Sequence, residues 1–259
     1  MSPAPPSRRL SPVAPFPLPQ PPLLPWLTPT RTAACLLLLR HTSITLGRPL
    51  AGVLMSSDQG RKWEPSQVVS RNDTWLIEGT LFERRDGSVV HLFRTVLGLM
   101  FASESSDGGK SWSAPYEFVL PNPNAKFHAL RLRSGLLVVC YNHQSFDRRR
   151  IRLHLAASND EGKSWWFAGR LIPAAINEEA PNQRWHYPTI AEDPDRPGVV
   201  HIAYSCDFSV PGEADEAELV DAEGAGDEGR MTGGIRIATA DLRTFRPSEA
   251  TRITEYDIR

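Results

Sequence analysis

The sequence predicts an all-β fold of the β-propeller class, with about four blades present in this chain of 259 residues. Three observations predict it: an octapeptide that recurs about every 50 residues, short strand-like runs beside the repeats, and no convincing helical period between residues 58 and 259. A period of about 40–50 residues with Gly and an aromatic residue at fixed offsets is typical of one propeller blade per repeat. The roughly 200 residues after the N-terminal segment therefore amount to four blades.

The octapeptide has the pattern S-x-D-x-G-x-x-W and occurs at residues 56–63, 105–112 and 158–165. In such a hairpin turn the Ser and Asp side chains accept backbone N–H groups, Gly supplies a positive φ, and Trp plugs the blade. A pattern repeated in several blades cannot mark a single catalytic site. We therefore predict a structural role for the repeated residues, which are Ser56, Asp58, Gly60, Trp63, Ser105, Asp107, Gly109, Trp112, Ser158, Asp160, Gly162 and Trp165.

The strand-like runs lie at residues 88–95, 99–103, 136–141, 151–157, 201–205 and 234–238. The first four are short, rich in Val, Leu, Ile and aromatic residues, and bounded by Gly, Pro, Asn or Asp. Between the last two, residues 211–232 hold eight acidic residues and one Arg, which indicates a solvated loop insertion. Residues 51–259 are thus predicted to form a partial propeller that carries this acidic loop.

The first 50 residues are predicted to be a disordered leader rich in Pro, Leu and Arg. Eleven of the first thirty residues are proline, which excludes regular structure, and the apolar run at residues 33–39 is too short to span a membrane. Three interpretations are open: an organelle transit peptide, a secretory signal, or a truncated gene model that replaces the first blades. The leader therefore leaves the compartment undetermined.

Composition and spacing argue against several classes of function. Apolar residues make up 41% and charged residues 23% of the chain, as in ordinary soluble domains. There is no basic stripe with interleaved aromatic residues that would suggest nucleic-acid binding. Cys35, Cys140 and Cys206 are odd in number and widely spaced, and the histidines lack metal-ligand spacing. We therefore expect buried free thiols, no metal, no cofactor and no membrane span.

Short segments beyond the repeats carry a resemblance to a known family. They are residues 74–80 (TWLIEGT), 92–95 (LFRT), 120–124 (LPNPN), 140–142 (CYN) and 185–188 (WHYP). The octapeptide is similar to the Asp-box, or BNR repeat, and residues 52–245 resemble the BNR-repeat-like group of the sialidase (neuraminidase) superfamily. The resemblance implies a sialidase-type propeller, which in the family has six blades. Four blades from such a ring leave open edges, so either the chain is incomplete, or it adapts its closure, or it assembles with another chain.

The resemblance also implies a retaining exo-sialidase-type glycoside hydrolase that acts on terminal sialic acid or a similar acidic sugar. Such enzymes hold the substrate carboxylate with three arginines, since guanidinium binds carboxylate bidentately and stays charged. Their nucleophile is a Tyr whose proton passes to a neighbouring Glu, while an Asp protonates the leaving group. By the family pattern, Glu78 is the Tyr-activating residue and Arg94 a carboxylate-binding arginine. Arg150 is the best match for a second such arginine, with Arg148, Arg149 and Arg152 as competitors.

The nucleophile position departs from the family pattern. Residues 185–188 correspond to the family's Tyr-Ser element, which places Trp185 where the nucleophile is expected. Because residues two apart on a strand point to the same side, Tyr187 is a possible substitute. The alternative is a buried Tyr187 with a satisfied hydroxyl. The family's acid Asp and first arginine come from early blades, for which this chain supplies only the leader, and Asp73 is not expected to replace that acid.

Two functions from different classes therefore stay open. The first is the sialidase-like hydrolase, with Glu78 and Tyr187 as catalytic residues and Arg94 and Arg150 as the carboxylate clamp. The second is a catalytically degenerate propeller that binds glycan or protein, which Trp185 and the missing Asp and Arg favour. An acidic carbohydrate is the expected partner, and the sequence does not determine the sugar or the oligomeric state.

Overall fold

The computed structural model describes residues 35–42, 49–58, 60–145, 150–172, 183–208 and 232–254. Within these residues the chain forms fourteen β-strands and one short 3-10 helix at Pro247–Glu249. The strands make four antiparallel sheets. The prediction of an all-β fold with about four blades is confirmed.

The first sheet consists of β1 (Cys35–Thr42), β2 (Pro49–Ser56) and β3 (Glu64–Pro65). The β1 and β2 strands pair over their whole length in a continuous register. The predicted disordered leader is therefore wrong for Cys35–Thr42, because this leucine-rich run has a pairing partner in the equally apolar β2. The rest of the predicted leader, residues 1–34 and 43–48, lies outside the described residues.

The other three sheets are meanders in which strands that follow one another along the chain pair side by side. The second contains β4 (Ile77–Glu83), β5 (Val89–Arg94), β6 (Gly98–Ser105) and β7 (Tyr116–Asn122). The third contains β8 (His128–Arg131), β9 (Leu137–Asn142), β10 (Leu153–Ser158) and β11 (Trp166–Arg170). The fourth contains β12 (Gln183–Glu192), β13 (Val199–Phe208) and β14 (Thr232–Asp241). Nearly all of the predicted acidic insertion at 211–232 lies outside the described residues.

The three octapeptides form the predicted turns and link β2 to β3, β6 to β7 and β10 to β11. In each, the Ser hydroxyl donates to the Asp carboxylate and accepts the Gly N–H, both at 2.7–2.9 Å. The Asp carboxylate also accepts the backbone N–H four residues later at 2.8–3.0 Å. Gly60, Gly109 and Gly162 have φ of 84°, 93° and 83°. The turn chemistry thus matches the prediction.

Three apolar cores fill the spaces between successive sheets. Trp165, in the third octapeptide, is fully buried, and its ring meets Phe82 and Phe118 of the second sheet at centroid distances of 6.5 and 5.9 Å. Trp112 likewise lies in the core between the first and second sheets, whereas Trp63 is 37% exposed. A buried octapeptide Trp therefore joins its own sheet to the preceding one.

Antiparallel pairing puts the octapeptides and the predicted site residues at opposite ends of the sheets. The octapeptides follow the C-terminal ends of β2, β6 and β10. Glu78 lies at the start of β4, Arg94 at the end of β5, and Arg150 in the connection from β9 to β10. The structural turns and the candidate site therefore occupy different ends of the molecule.

Candidate functional site

Four predicted residues, Glu78, Arg94, Arg150 and Tyr187, lie close together at one end of the second, third and fourth sheets. Glu78 and Arg94 come from adjacent strands, where Ile77 pairs with Arg94. Arg150 precedes β10, and Tyr187 belongs to β12. The structure brings these side chains together, while their chemical roles stay predictions.

The first part of the site is an ion pair between Arg94 and Glu78. The Arg94 side chain is only 10% exposed, whereas that of Glu78 is 33% exposed. Arg94 Nε also donates to Asn124 Oδ1 at 2.8 Å. The Arg94 guanidinium is therefore held from two sides and is not an ordinary surface arginine.

The second part is a contact between Arg150 and Tyr187. The Arg150 guanidinium carbon lies 5.3 Å from the centre of the Tyr187 ring, and Arg150 Nη2 donates to the Asn124 carbonyl oxygen at 2.9 Å. Burial lowers the pKa of Arg150, an effect that Tyr187 opposes and Arg94 adds to. The two guanidinium groups are therefore within electrostatic reach of each other and are joined through Asn124.

Left-handed backbone is concentrated at this site. Among the described residues, five non-glycine residues have a positive φ, and four of them are here: Glu78 (45°), Asn124 (56°), Arg150 (57°) and Tyr187 (53°). Such conformations cost on the order of 1–3 kcal/mol each and cluster where function requires a particular orientation. This concentration of left-handed backbone makes the cluster a candidate functional site on grounds other than residue type.

A β-bulge separates the surroundings of Trp185 from those of Tyr187. The pairing of β12 with β13 skips from His186 to Thr189, so two residues lack a cross-strand partner there. Trp185 is 1% exposed in the core between the third and fourth sheets, whereas Tyr187 is 37% exposed. The expectation that the two aromatic rings share one side is wrong, because a bulge breaks strand alternation. The alternative of a buried Tyr187 is also wrong.

Of the competing residues, only Arg152 and Asp73 are described by the structure. Arg148 and Arg149 lie outside the described residues, and Arg152 is exposed. Asp73 forms an ion pair with Arg71 at 2.5 Å, and this hydrogen bond lowers the pKa of Asp73. Asp73 is therefore ionised at neutral pH and has no proton to donate.

Sequence reasoning missed two residues of the site, Asn124 and Lys126, both in the connection from β7 to β8. Asn124 contacts both arginines, and Lys126 Nζ donates to the Pro188 carbonyl at 3.1 Å and to Thr189 Oγ1 at 3.3 Å. A signal was present in the Asn-Pro-Asn run at 122–124, since Asn is a residue that tolerates left-handed backbone. Lys126 carries no comparable signal.

A hydrogen-bonded pair of a buried His186 and a partly exposed Asp207 lies next to Tyr187. His186 Nε2 is 2.5 Å from Asp207 Oδ2, and the His186 ring packs edge-on against the Tyr187 ring at 4.6 Å. Burial lowers the pKa of His186, and the hydrogen bond with Asp207 opposes that shift. The pair supports the Tyr187 ring from the side of the core.

Other groups in the described part of the chain give little further chemistry. There, no three His, Cys, Asp or Glu side chains converge as a metal site would require. Cys140 and Cys206 are buried free thiols, as predicted, and burial raises the pKa of both. None of the helical residues that the structure describes forms a segment long and apolar enough to cross a bilayer.

Comparison with known proteins identifies the fold. The sequence profile of the family described as the BNR repeat-like domain matches residues 15–202. The sialidase of Trypanosoma rangeli superposes with a TM-score of 0.51 at 16% identity, over 68% of this chain and 28% of its own length. Its complex with 2,3-difluorosialic acid, a covalent intermediate, gives 0.53 at 15% identity over the same shares.

A protein of unknown function from Dyadobacter fermentans gives a TM-score of 0.48 at 21% identity, over 71% of this chain and 48% of its own. The chain thus spans less than half the length of each of these structures. No curated protein sequence matches it. At these identities the likeness to the Trypanosoma rangeli sialidase concerns the fold.

Proposed function

Because the chain belongs to the BNR repeat-like domain family, whose match here coincides with a sialidase-like fold, we propose that it recognises a sugar with a carboxylate, of the sialic acid type, and cleaves its glycosidic bond with retention. One observation carries the proposal. Arg94 and Arg150 are joined through Asn124 beside the exposed ring of Tyr187. The activity is proposed for the whole protein, because this chain spans only 28% of the length of the Trypanosoma rangeli sialidase.

The charges at the site favour an anionic ligand. Arg94, Arg150 and Lys126 bring three positive charges, and Glu78 brings one negative charge. Guanidinium groups bind a carboxylate through paired, charge-assisted hydrogen bonds, which are stronger than neutral ones. A ligand carboxylate between Arg94 and Arg150 would offset the excess positive charge of the site. Asn124 holds both guanidinium groups in place before the ligand binds.

Tyr187 and Glu78 supply the proposed chemistry. The Tyr187 oxygen attacks the anomeric carbon, its proton passes to the Glu78 carboxylate, and the glycosidic bond breaks with protonation of the leaving oxygen by an acid outside these four residues. Water then attacks the tyrosyl glycoside and gives its proton to the conjugate base of that acid, while the Tyr187 oxygen leaves and takes its proton back from Glu78. A neutral phenol suits this role because an anionic nucleophile would be repelled by the carboxylate of the sugar.

A second function, glycan binding without hydrolysis, is favoured by one specific contact. The Glu78 carboxylate forms an ion pair with the Arg94 guanidinium, and this contact, not one with the Tyr187 phenol, occupies it in the structure. In that case the same clamp holds the sugar and no bond breaks.

Binding of N-acetylneuraminic acid by calorimetry and turnover of a fluorogenic sialoside test both functions. We expect Arg94→Ala and Arg150→Ala each to weaken binding by about 10- to 100-fold, because each removes a charge-assisted contact. Arg152→Ala, which removes an exposed arginine, is the matched control and should leave the affinity unchanged. The methyl ester of the sugar should bind no better to the wild type than to Arg94→Ala.

Tyr187→Phe separates the two functions. Loss of turnover with retained binding supports hydrolysis, whereas binding without turnover in the wild-type protein supports the second function. Failure of the wild-type protein to bind the acidic sugar, or equal binding by Arg94→Ala, would overturn the proposal.

A further inference from the structure

The connection between β7 and β8 reaches all three sheets that carry the site. Its Asn124 holds an arginine from the second sheet and another from the third. Its Lys126 extends to the fourth sheet, where Nζ donates to the Pro188 carbonyl and to Thr189 Oγ1. These two acceptors follow Tyr187 directly, since Pro188 is the second residue of the bulge in β12 and Thr189 is the first residue after it.

The bulge needs such a contact because its backbone is unfavourable. Tyr187 has a φ of 53°, which is unfavourable for an L-residue other than glycine. It also precedes a proline, whose ring favours an extended backbone in the residue before it. In the register of β12 and β13 neither Tyr187 nor Pro188 has a partner, so the Pro188 carbonyl requires a donor from elsewhere. Lys126 provides that donor.

Other contacts around Tyr187 hold its ring. Arg150 lies over one side of the ring, and His186 packs edge-on against it. Neither contact fixes the peptide that follows the ring. Lys126 therefore has a different task, because it reaches the backbone of the bulge.

Lys126 also stands close to the charges of the site. It is half-buried, and burial lowers its pKa, while Glu78 and, to a lesser extent, Tyr187 raise it. Its ammonium group thus belongs to the same electrostatic cluster as the groups proposed to bind the sugar.

We propose that Lys126 is a positioning residue, whose ammonium group fixes the β12 bulge so that Tyr187 faces the ligand. The part concerning the ligand rests on the proposed function, whereas the part concerning the bulge does not. Both parts can be tested on the full chain.

Hydrogen exchange of the segment 183–192, followed by mass spectrometry, tests the bulge. Lys126→Met keeps most of the apolar stem of the side chain and removes its charged end, so we expect exchange in this segment to rise by about tenfold or more through local opening. Lys126→Arg should restore wild-type exchange, because guanidinium can donate to both acceptors. Lys110→Met, an exposed lysine in the second octapeptide at the other end of the sheets, is the control and should change nothing here.

Thr189→Val is a second variant that tests the same contact even if Lys126→Met unfolds as a whole. It removes one acceptor from an exposed position, and we expect an increase of about two- to threefold confined to the same segment. Unchanged exchange at 183–192 in both variants would overturn the proposal, as would an increase spread evenly over all four sheets.

A double-mutant cycle tests the route to the ligand, with N-acetylneuraminic acid as the probe. If Lys126 acts by placing Tyr187, Lys126→Met should weaken binding about five- to tenfold in the wild-type background and about twofold or less in a Tyr187→Ala background. Equal losses in both backgrounds would overturn the positioning role. If the wild-type protein binds no acidic sugar, the proposed function is overturned. The hydrogen-exchange experiment still tests the role of Lys126 in the bulge in that case.

Discussion

At the scale of single residues, the site depends on small features of the backbone next to the charged groups. Glu78 sits in a bulge, since the pairing of β4 with β5 skips from Ile77 to Thr80. The next residue, Gly79, has no space for a side chain: a Cβ there would lie 2.4 Å from His91 Nε2 and 2.6 Å from the Leu92 carbonyl oxygen. The bulge that orients Glu78 therefore requires glycine beside it.

Gly79→Ala is expected to lower the free energy of unfolding by about 2–4 kcal/mol, because backbone and a buried ring must move to make room. Gly169→Ala is the matched control in another strand, where a Cβ would meet nothing within 4 Å. Urea denaturation of both variants measures the difference. A loss below that of the control would show that the bulge relaxes freely.

At residue level, the family-like segments predicted a pair of side chains that the structure brings together, while the roles of these residues stay predictions. Glu78 and Arg94 belong to such segments and meet in the structure. Asn124 and Lys126 were not predicted as site residues, because their contacts depend on how three sheets converge and a local sequence pattern does not contain that information. Tyr187 and Trp185 were placed on one side because strand alternation was assumed, and an inserted bulge is not visible in the residue types.

At the scale of elements, the octapeptides join sheets as well as close turns. The Trp165 ring is fully buried against the preceding sheet, and Trp63, in the same position of the first octapeptide, is 37% exposed. The indole N–H of each donates to the carbonyl of the Gly three residues earlier, at 3.1 Å for Trp165 and 2.9 Å for Trp63. The two therefore share their turn chemistry and differ in burial.

Trp165→Ala is expected to destabilise the fold by about 3–5 kcal/mol, and Trp63→Ala by about 1 kcal/mol, because the removed contacts scale with burial. Chemical denaturation of the two variants, monitored by circular dichroism, provides the comparison. Equal losses would mean that the turn hydrogen bond, and not packing between sheets, sets the contribution of these residues.

Elements were predicted well where strands flank an octapeptide. The runs at 88–95 and 99–103 became β5 and β6, and those at 136–141 and 151–157 became β9 and β10. The β1 strand was missed because its leucines follow a proline-rich segment and look like part of it. Its pairing with β2 is a contact between distant residues, which a local pattern does not reveal.

At the scale of the whole molecule, the cores contain histidines that are neutral when folded. His91 and His154 are 2% and 3% exposed, and burial lowers the pKa of each to about 3. Burial also lowers the pKa of His128 to about 4, and His128 Nδ1 accepts the Ile190 N–H at 2.9 Å. Protonation at Nδ1 would break that link between the third and fourth sheets.

The free energy of unfolding is expected to fall as the pH drops from 6.5 to about 4. In that window the unfolded chain binds protons at these histidines and the folded chain does not, so each contributes a loss of up to about 1.4 kcal/mol per pH unit. Above pH 6.5 both states are neutral at these rings and the effect vanishes. Urea denaturation at pH 7.5, 6, 5 and 4.5 measures the slope.

His154→Leu is expected to flatten this slope by about one quarter, because it removes one of four rings, those of His91, His128, His154 and His186, whose pKa burial lowers. Carboxylates with a lowered pKa, such as Asp107 and Asp193, add to the slope from about pH 5 downward, so the contribution of the histidines is read between pH 6.5 and 5. A free energy that stays constant from pH 7.5 to 4.5 would contradict the assignment of neutral buried histidines.

The left-handed backbone at Glu78, Asn124, Arg150 and Tyr187 has a consequence for the evolution of the protein. Glycine adopts a positive φ without steric penalty, so glycine at any of these positions would relieve local tension. Selection for thermal stability alone would therefore favour glycine at these positions, with loss of the side chains proposed to bind the sugar. Stability and the sugar recognition proposed above therefore place opposite demands on these four positions.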